Sequence, residues 1–406
     1  MNTQKFDAII IGGGASGLMC AISAKMKNKD ISVAIIEKND RVGKKLLATG
    51  NGRCNLTNKY ISSNNYTGSF VLQSQKLFNY YSTDKMLSIF DELGLLSYCD
   101  SEGRYYPLCK QASAVLDVLR FSCERLGVSF FCKENIHSLR KNKDIFNIKT
   151  DNNEFYCKKL VVACGSKASP KLGGSSSSLD YLKNFGHKIH PFSPALCPIK
   201  VKSDLLKFLK GIRSTCIATL IDKNENVLKS ETGEVQFTEN ALSGICIFNL
   251  SLYSRAQQYI SLDLIPNLSF DELYNILLKQ KTIFTDLSVD NIFTGIIQKR
   301  LSQAVLKLSG INSFSITIKD ITNKQLKAIC HTVKNMKFEI IENSNFENSQ
   351  CSLGGLNGKE INENTMESKI VKGLYICGEA IDICGECGGF NLHFAFSSGH
   401  LAGANL

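Results

Sequence analysis

The chain has 406 residues, 48 Lys and Arg against 37 Asp and Glu for a formal charge of +11, and 43% hydrophobic residues. This composition is that of an ordinary globular chain and excludes disordered, fibrous and collagen-like classes; the length suffices for two or three domains. No apolar run approaches the ~20 residues of a membrane span, and Met1–Asp7 has neither the basic start nor the apolar stretch of a signal peptide. The 16 cysteines are scattered from Cys20 to Cys387, mostly alone in apolar stretches, so a cytoplasmic protein with reduced thiols is expected. Residues 1–190 hold 27 basic and 16 acidic side chains and so carry most of the positive excess. Nucleic acid could use that excess, but it forms no dense cluster with interleaved aromatics and there is no Trp, so anionic small ligands or plain solubility explain it at least as well.

The opening reads strand, glycine turn, helix, strand: Phe6–Ile11, Gly12–Gly17, Leu18–Met26 and Ile31–Ile36. Amphipathic helices are expected over 74–93 and 110–126, each closed by a glycine, Gly94 and Gly127. Val128–Phe131, Ile145–Lys149 and Phe155–Val162 read as strands. A glycine-serine stretch over 165–178, with Ser175–Ser178 as a flexible loop, precedes a short helix ending at Gly186. Pro191, Pro194 and Pro198 mark a domain crossing. Strands follow at Thr215–Ile221 and Gly233–Phe237, helices over 269–310, a strand at Phe314–Ile318 and a helix near 322–335. The tail gives a strand at Leu374–Cys377, more glycines and a last helix from Asn391.

Gly12-Gly13-Gly14-Ala15-Ser16-Gly17 fits G-x-G-x-x-G in its proper setting, with a buried strand before it, a helix after it, and a second strand ending at Glu37, 20 residues past Gly17. Gly12 permits the tight turn, Gly14 admits a pyrophosphate, and Gly17 lets helix and strand pack closely. The helix N-terminus offers free N–H groups to phosphate, and Glu37 suits a ribose diol. After Glu37 and Lys38 the chain continues with a basic loop containing Arg41, Lys44 and Lys45 and then a second glycine-rich loop, unlike a compact nicotinamide domain. Two later strands end at Ala163-Cys164-Gly165 and Gly378-Glu379, and Gly389-Phe390-Asn391 opens the terminal helix, whose N-terminus suits negative charge on a reduced flavin. The expected cofactor is FAD, held by Gly12, Gly14, Ala15, Ser16, Gly17, Glu37, Lys38, Lys45, Gly52, Arg53, Cys54, Asn55, Ala163, Gly165, Gly378, Glu379, Gly389, Phe390, Asn391 and Leu392.

Thr49-Gly50-Asn51-Gly52-Arg53-Cys54-Asn55-Leu56-Thr57-Asn58 resembles the hallmark of the bacterial YhiN/BaiN-type FAD-dependent oxidoreductases, the aminoacetone-oxidase-like flavoproteins. The resemblance continues through Glu102–Pro107, Ser193–Pro198, Gly354-Gly355, Glu360-Ile361, Thr365–Ser368 and Gly378-Glu379 to Asn391-Leu392, nearly the whole chain. It implies an α/β fold: a Rossmann-type FAD-binding domain split in sequence, with an inserted β-barrel-like domain and a small helical subdomain. The corresponding boundaries are 1–190 and 351–406 for the FAD domain, 191–268 and 311–350 for the β-rich insert, and 269–310 for the helices. Members typically read Thr-His-x-Gly-x-Ser-Gly-Pro where this chain has Thr238-Glu239-Asn240-Ala241-Leu242-Ser243-Gly244-Ile245, so roles of that His and Pro do not transfer. Cys384 stands where Asp is common and His393 where Gln is usual.

Cys384-Gly385-Glu386-Cys387 is a CxxC that reads either as a redox dithiol or as small residues admitted beside a cofactor. The weak catalytic candidates are Cys54, as a reactive thiol, and His393, as a general acid in the first turn of the terminal helix; for each the alternative is a packed structural residue. His393 and His400 lie seven apart and share a helix face. His187-Lys188-Ile189-His190 has H-x-x-H spacing without accompanying ligands, so no metal site is expected. Arg53 and the Lys44/Lys45 pair are candidates for phosphate or an anionic substrate, with plain solvated charge the equal alternative. The function expected is an FAD-dependent oxidoreductase transferring hydride at flavin N5 to or from a C=C or C–N bond of a small organic molecule, with the basic first half the only hint that it is anionic. With a single G-x-G-x-x-G, electrons come either from transient NADH or NADPH or from the substrate itself. An FAD-dependent RNA-modifying enzyme and a flavin sensor or electron carrier are the alternatives; oligomeric state has no signature in the sequence.

Overall fold

A seven-stranded sheet organises the first of two units, residues 1–195 and 346–406. The computed structural model describes residues 2–406. At the centre of the sheet, β1 (Asn2–Ile11) lies parallel to β2 (Val33–Glu37) on one side and to Asn153–Val162 on the other, with Ile10 opposite both Ile35 and Val161. Ser129–Cys132 extends the parallel set beyond β2, and Leu374–Ile376 pairs parallel with Leu160–Val162. Ile145–Thr150 and Ile136–Asn142 complete the sheet antiparallel, the latter a strand with no clear apolar pattern in the sequence. The central strands are continuous apolar runs, such as Ala8–Ile11 and Val33–Ile36, because both faces are covered.

One covering element is α1 (Ala15–Lys27), packed against the terminal helix Phe390–Ala404. Glycine makes this contact close: a Cβ on Gly399 would stand 2.3 Å from the Ser16 carbonyl oxygen, and one on Gly403 2.2 Å from that of Cys20. The sequence-expected helix over 74–93 is two helices, Val71–Tyr80 and Thr83–Glu92. Ser82 caps the second by accepting from Lys85 N–H, and Tyr81, non-helical, turns its ring into the core. Ser177 and Ser178 are not loop residues; they begin the helix Ser177–Asn184, and the buried Ser178 hydroxyl donates to Gly165 O at 2.8 Å.

The second unit, residues 196–345, has its own hydrophobic core. Six strands close a barrel in the order Ile199–Lys202, Ala241–Ser243, Val227–Phe237, Arg213–Ile221, Tyr259–Asp263 and Met336–Asn343. The helices Phe270–Ile283, Lys299–Leu308 and Asn323–Lys334 share that core, so the helical part runs past 310. Phe314–Ile318 is not a strand: a single bridge joins Ser288 to Thr317, and a Thr317/Asp320 capping box turns the chain into a short 3-10 helix. The unit boundaries fall at 195/196 and 345/346, displaced from 190/191 and 350/351, because Ile189–Ala195 pairs antiparallel with the returning Cys351–Leu356 strand.

Candidate functional site

Four parallel neighbours of the first unit end side by side, and each delivers a turn to the same edge. β1 ends at Gly12, whose φ of +106° lies in the left-handed region and whose missing Cβ would stand 2.6 Å from Ala163 O. Only glycine fits both demands. Gly14, by contrast, has open space where a Cβ would be, and it precedes α1 with no side-chain cap on the helix N–H groups. An uncapped helix start with an open glycine approach suits a pyrophosphate. Glu37 closes β2 and is buried, its carboxylate accepting from Gly13 N–H at 2.9 Å and from Asn39 N–H and Nδ2 at 2.8 and 2.7 Å. Lys38 beside it is exposed.

From the other strands come Ala163–Ser166 and Gly378-Glu379. Glu379 Oε2 accepts from Lys45 Nζ at 2.6 Å and from Ser166 Oγ at 3.1 Å, joining α2 (Lys44–Ala48) to a residue 334 positions later. Burial opposes the charge on Lys45, but Glu379 outweighs it and holds the lysine above its ordinary pKa. Gly378 N–H donates to Ser398 Oγ of the terminal helix at 3.0 Å, and a Cβ on Gly378 would stand 2.5 Å from Ser16 Oγ.

The loop after α2 and the start of the terminal helix form a second wall. Gly50, Asn51, Gly52 and Cys54 all have positive φ, 57°, 55°, 80° and 61°. Asn58 Nδ2 donates to Gly388 O at 2.8 Å, Tyr66 OH donates to Phe390 O at 2.8 Å, and the Asn391 amide brackets Gly385 through both its N–H and its C=O. Gly389, with φ +99°, precedes the terminal helix and offers no side-chain cap. Asn55 Oδ1 lies 2.7 Å from where a Gly389 Cβ would be; it is buried and has no hydrogen-bond partner. A stranded acceptor beside unused helix N–H donors complements an imide edge, with its alternating carbonyl acceptors and N–H donor. The flavin pyrimidine has such an edge, so these residues fit FAD.

Neither catalytic candidate faces this opening. Cys54 is fully buried, and burial pushes its thiol up to about 12. His393 is also fully buried: Nδ1 meets Thr57 Oγ1 at 2.8 Å and Nε2 meets Tyr81 O at 2.9 Å. A carbonyl only accepts, so Nε2 carries the proton and Nδ1 accepts from the threonine. Both nitrogens are thus spent inside the core, and burial lowers the ring's pKa to about 4, which corrects the expected reach toward substrate. His400 shares that face as expected, its Nδ1 meeting Tyr81 OH at 2.8 Å. Both cysteines of the CxxC are free; Cys384 is buried and its thiol donates to Gly385 O at 3.8 Å, and the Cys351 thiol is raised well above its usual range by the Cys384 thiol and by burial. His187 bonds Glu360 and Ser368 while His190 meets Asn357, so the H-x-x-H rings serve separate contacts. Ser166, Thr57, Asn58 and Cys351 escaped sequence reasoning; only the two within the hallmark loop carried any local signal.

The chain is 32% identical over 97% of its length to the 3-dehydro-bile acid delta(4,6)-reductase of Clostridium scindens, covering 97% of that protein. It is 26% identical over 97% of its length to the ribosomal RNA dihydrouridine synthase of Escherichia coli, covering 96% of it. Among solved structures, the 3-ketosteroid delta1-dehydrogenase of Sterolibacterium denitrificans shares the fold, with a TM-score of 0.51 at 12% identity over 98% of this chain and 99% of that one. The family model for the HI0933-like protein Rossmann domain matches residues 6–405, and the chain belongs to that family.

Proposed function

We propose that the protein is an FAD-dependent oxidoreductase working as a reductase, saturating a carbon–carbon double bond conjugated to a carbonyl in a small organic molecule. The observation that carries the flavin part is Asn55 Oδ1, a buried acceptor without a partner beside the open N-terminus of the terminal helix. The Gly12–Gly17 turn and the start of α1 would hold the pyrophosphate, and Glu37 the adenosine ribose. Lys45 and Glu379 would line the stretch between, and Asn55 with the backbone of Phe390, Asn391 and Leu392 would hold the pyrimidine edge. Bound there, the flavin supplies a hydride at N5. The uncapped helix start favours negative charge at its end of the ring. The reduction itself rests on the relatives: a bile-acid reductase and a dihydrouridine synthase, by name, both add hydrogen across a ring C=C next to a carbonyl.

NADH or NADPH is the electron donor in this proposal, binding transiently, since the chain has a single G-x-G-x-x-G. The compartment in this proposal is the cytoplasm, a reading supported by 16 scattered cysteines that are all free among the described residues. The test is an anaerobic titration of the yellow protein with NADH and then NADPH, followed by a steroidal enone. Bleaching by a nucleotide and recovery of colour with the enone is expected; a protein that takes up no FAD, or whose reduced form ignores conjugated enones, overturns the proposal. The concentration of positive charge in residues 1–190 favours a second reading, RNA as substrate, which predicts retention on RNA that falls steeply with salt.

A further inference from the structure

We propose that Arg53, expected from the sequence among the FAD-holding residues, is not a flavin ligand but instead anchors a carboxylate of the substrate and sets specificity. This rests on the reductase proposal above. Of the three cations between residues 44 and 53, two are already neutralised: Lys44 pairs with Asp40 and Lys45 with Glu379. Among the described residues no carboxylate pairs with Arg53. Its side chain is nonetheless fixed. Nε donates to Gly50 O at 3.2 Å, and the guanidinium lies 4.8 Å from the centre of the buried Tyr106 ring.

The backbone that achieves this is unusual. Gly50, Asn51 and Gly52 before Arg53 and Cys54 after it are all left-handed, and Asn51 and Cys54 adopt that conformation without being glycine. Strained backbone persists where its surroundings over-determine it, and it concentrates at ligand clamps. Here it folds the arginine back over its own loop onto Tyr106. A guanidinium with Nε and one face engaged keeps its two terminal nitrogens for a ligand, and their planar fork matches a carboxylate in a way a lysine ammonium does not. Arg53 is exposed and stands two residues from Asn55, the acceptor assigned to the flavin's pyrimidine edge. A substrate lying on that end of the flavin would therefore meet Arg53 as the nearest unpaired cation of the loop. The ligand class is a small conjugated enone bearing a carboxylate at its far end.

The experiment uses the FAD-loaded protein and the Arg53→Met and Arg53→Lys variants, with a steroidal enone acid of the bile-acid series and its methyl ester as probes. Binding is read from the perturbed flavin spectrum, and FAD retention is measured for each protein. Wild type is expected to prefer the acid by about 10-fold or more, as a charge-assisted bidentate contact does. Arg53→Met should bind acid and ester alike, Arg53→Lys should keep only part of the preference, and all three should retain FAD equally. Equal binding of acid and ester by wild type, loss of FAD in Arg53→Met, an equal fall in affinity for both probes, or no binding of either probe overturns the assignment. So does an Arg53-dependent affinity for a uridine-containing RNA hairpin that exceeds the affinity for the acid. Failure of the reductase proposal is read separately: the acid preference would persist while the reduced flavin leaves both probes unchanged.

Discussion

Lowering the pH from 7 to 5 tests the place the structure gives His393. Buried between Thr57 and Tyr81 O, the ring falls from an ordinary 6.5 to about 4 on folding. The unfolded chain therefore takes up a proton that the native state refuses. This contribution to stability is complete above about pH 6.5 and drains away as the pH falls through the unfolded value toward 4. At 1.36 kcal/mol per pKa unit, linkage gives a loss of roughly 2 kcal/mol at pH 5 and about 3 kcal/mol at pH 4. His400 is lowered to about 4 as well, through burial first, so the wild-type slope alone does not isolate His393. The control is His393→Gln, the residue the family resemblance expects at this position. Its amide offers one acceptor to Thr57 and one donor to Tyr81 O, and it carries no charge at any pH. Urea midpoints followed by far-UV circular dichroism at pH 7 and 5 give the comparison, and hydrogen exchange in the terminal-helix amides locates it. Wild type should lose about 2 kcal/mol more than His393→Gln between the two pH values, with the extra loss centred on the terminal helix. Parallel losses in the two proteins would show that His393 is solvated or already paired with a charge, and would refute the reasoning.

Three further outcomes follow from the same contacts. Asn55→Ala should raise the Kd for FAD about 3- to 10-fold, the worth of one buried hydrogen bond, measured by fluorescence quenching of added FAD; unchanged affinity would detach Asn55 from the cofactor. Gly399→Val forces a branched side chain against the Ser16 carbonyl and should destabilise the first unit by about 1–3 kcal/mol in thermal melts, with weakened FAD binding because α1 carries the phosphate-facing turn. Lys45→Met should cost more than the double variant Lys45→Met/Glu379→Gln, since the single change strands a carboxylate that is only 20% exposed; with the lysine 32% exposed, the pair's coupling in a double-mutant cycle should stay near about 1 kcal/mol.

What could be read in the chain was local. Ala8–Ile11 and Val33–Ile36 announce buried parallel strands by their composition, and the turn between them announces a phosphate by the positions of its glycines. The stretch 74–93 misled because its apolar period continues across Tyr81-Ser82, although Ser82 three residues before Lys85 was a helix start in plain view. Thr317 and Asp320 likewise spelled a capping box where a strand was expected. The assignments of His393, Cys54 and Cys384 could not be read locally, because each is decided by what the remote chain packs against it. Tyr81 lies 312 positions from His393, and no periodicity links the two. Seven-residue spacing put His393 and His400 on one face of a helix; only the fold shows that this face meets a tyrosine in the core.

The site is built from the two ends of the first unit, with Lys45, Asn55, Thr57 and Asn58 on one side and Glu379, Gly388, Gly389 and His393 on the other. Between them the chain leaves for the 150 residues of the second unit and returns. A structureless excursion of that length would cost about 4 kcal/mol in closure entropy, but this one folds around its own core and is not structureless. The contacts that bring the ends together are already made among the protein's own groups: Lys45 to Glu379, Thr57 to His393, Asn58 to Gly388. In the proposed site the flavin would meet a prepared wall with one acceptor still unmet, and at 100-fold saturation its binding would add about 2.7 kcal/mol to the unit that holds it. Loss of any of these three ties should therefore be felt first as weaker FAD binding, because the cofactor alone depends on both ends being in register at once.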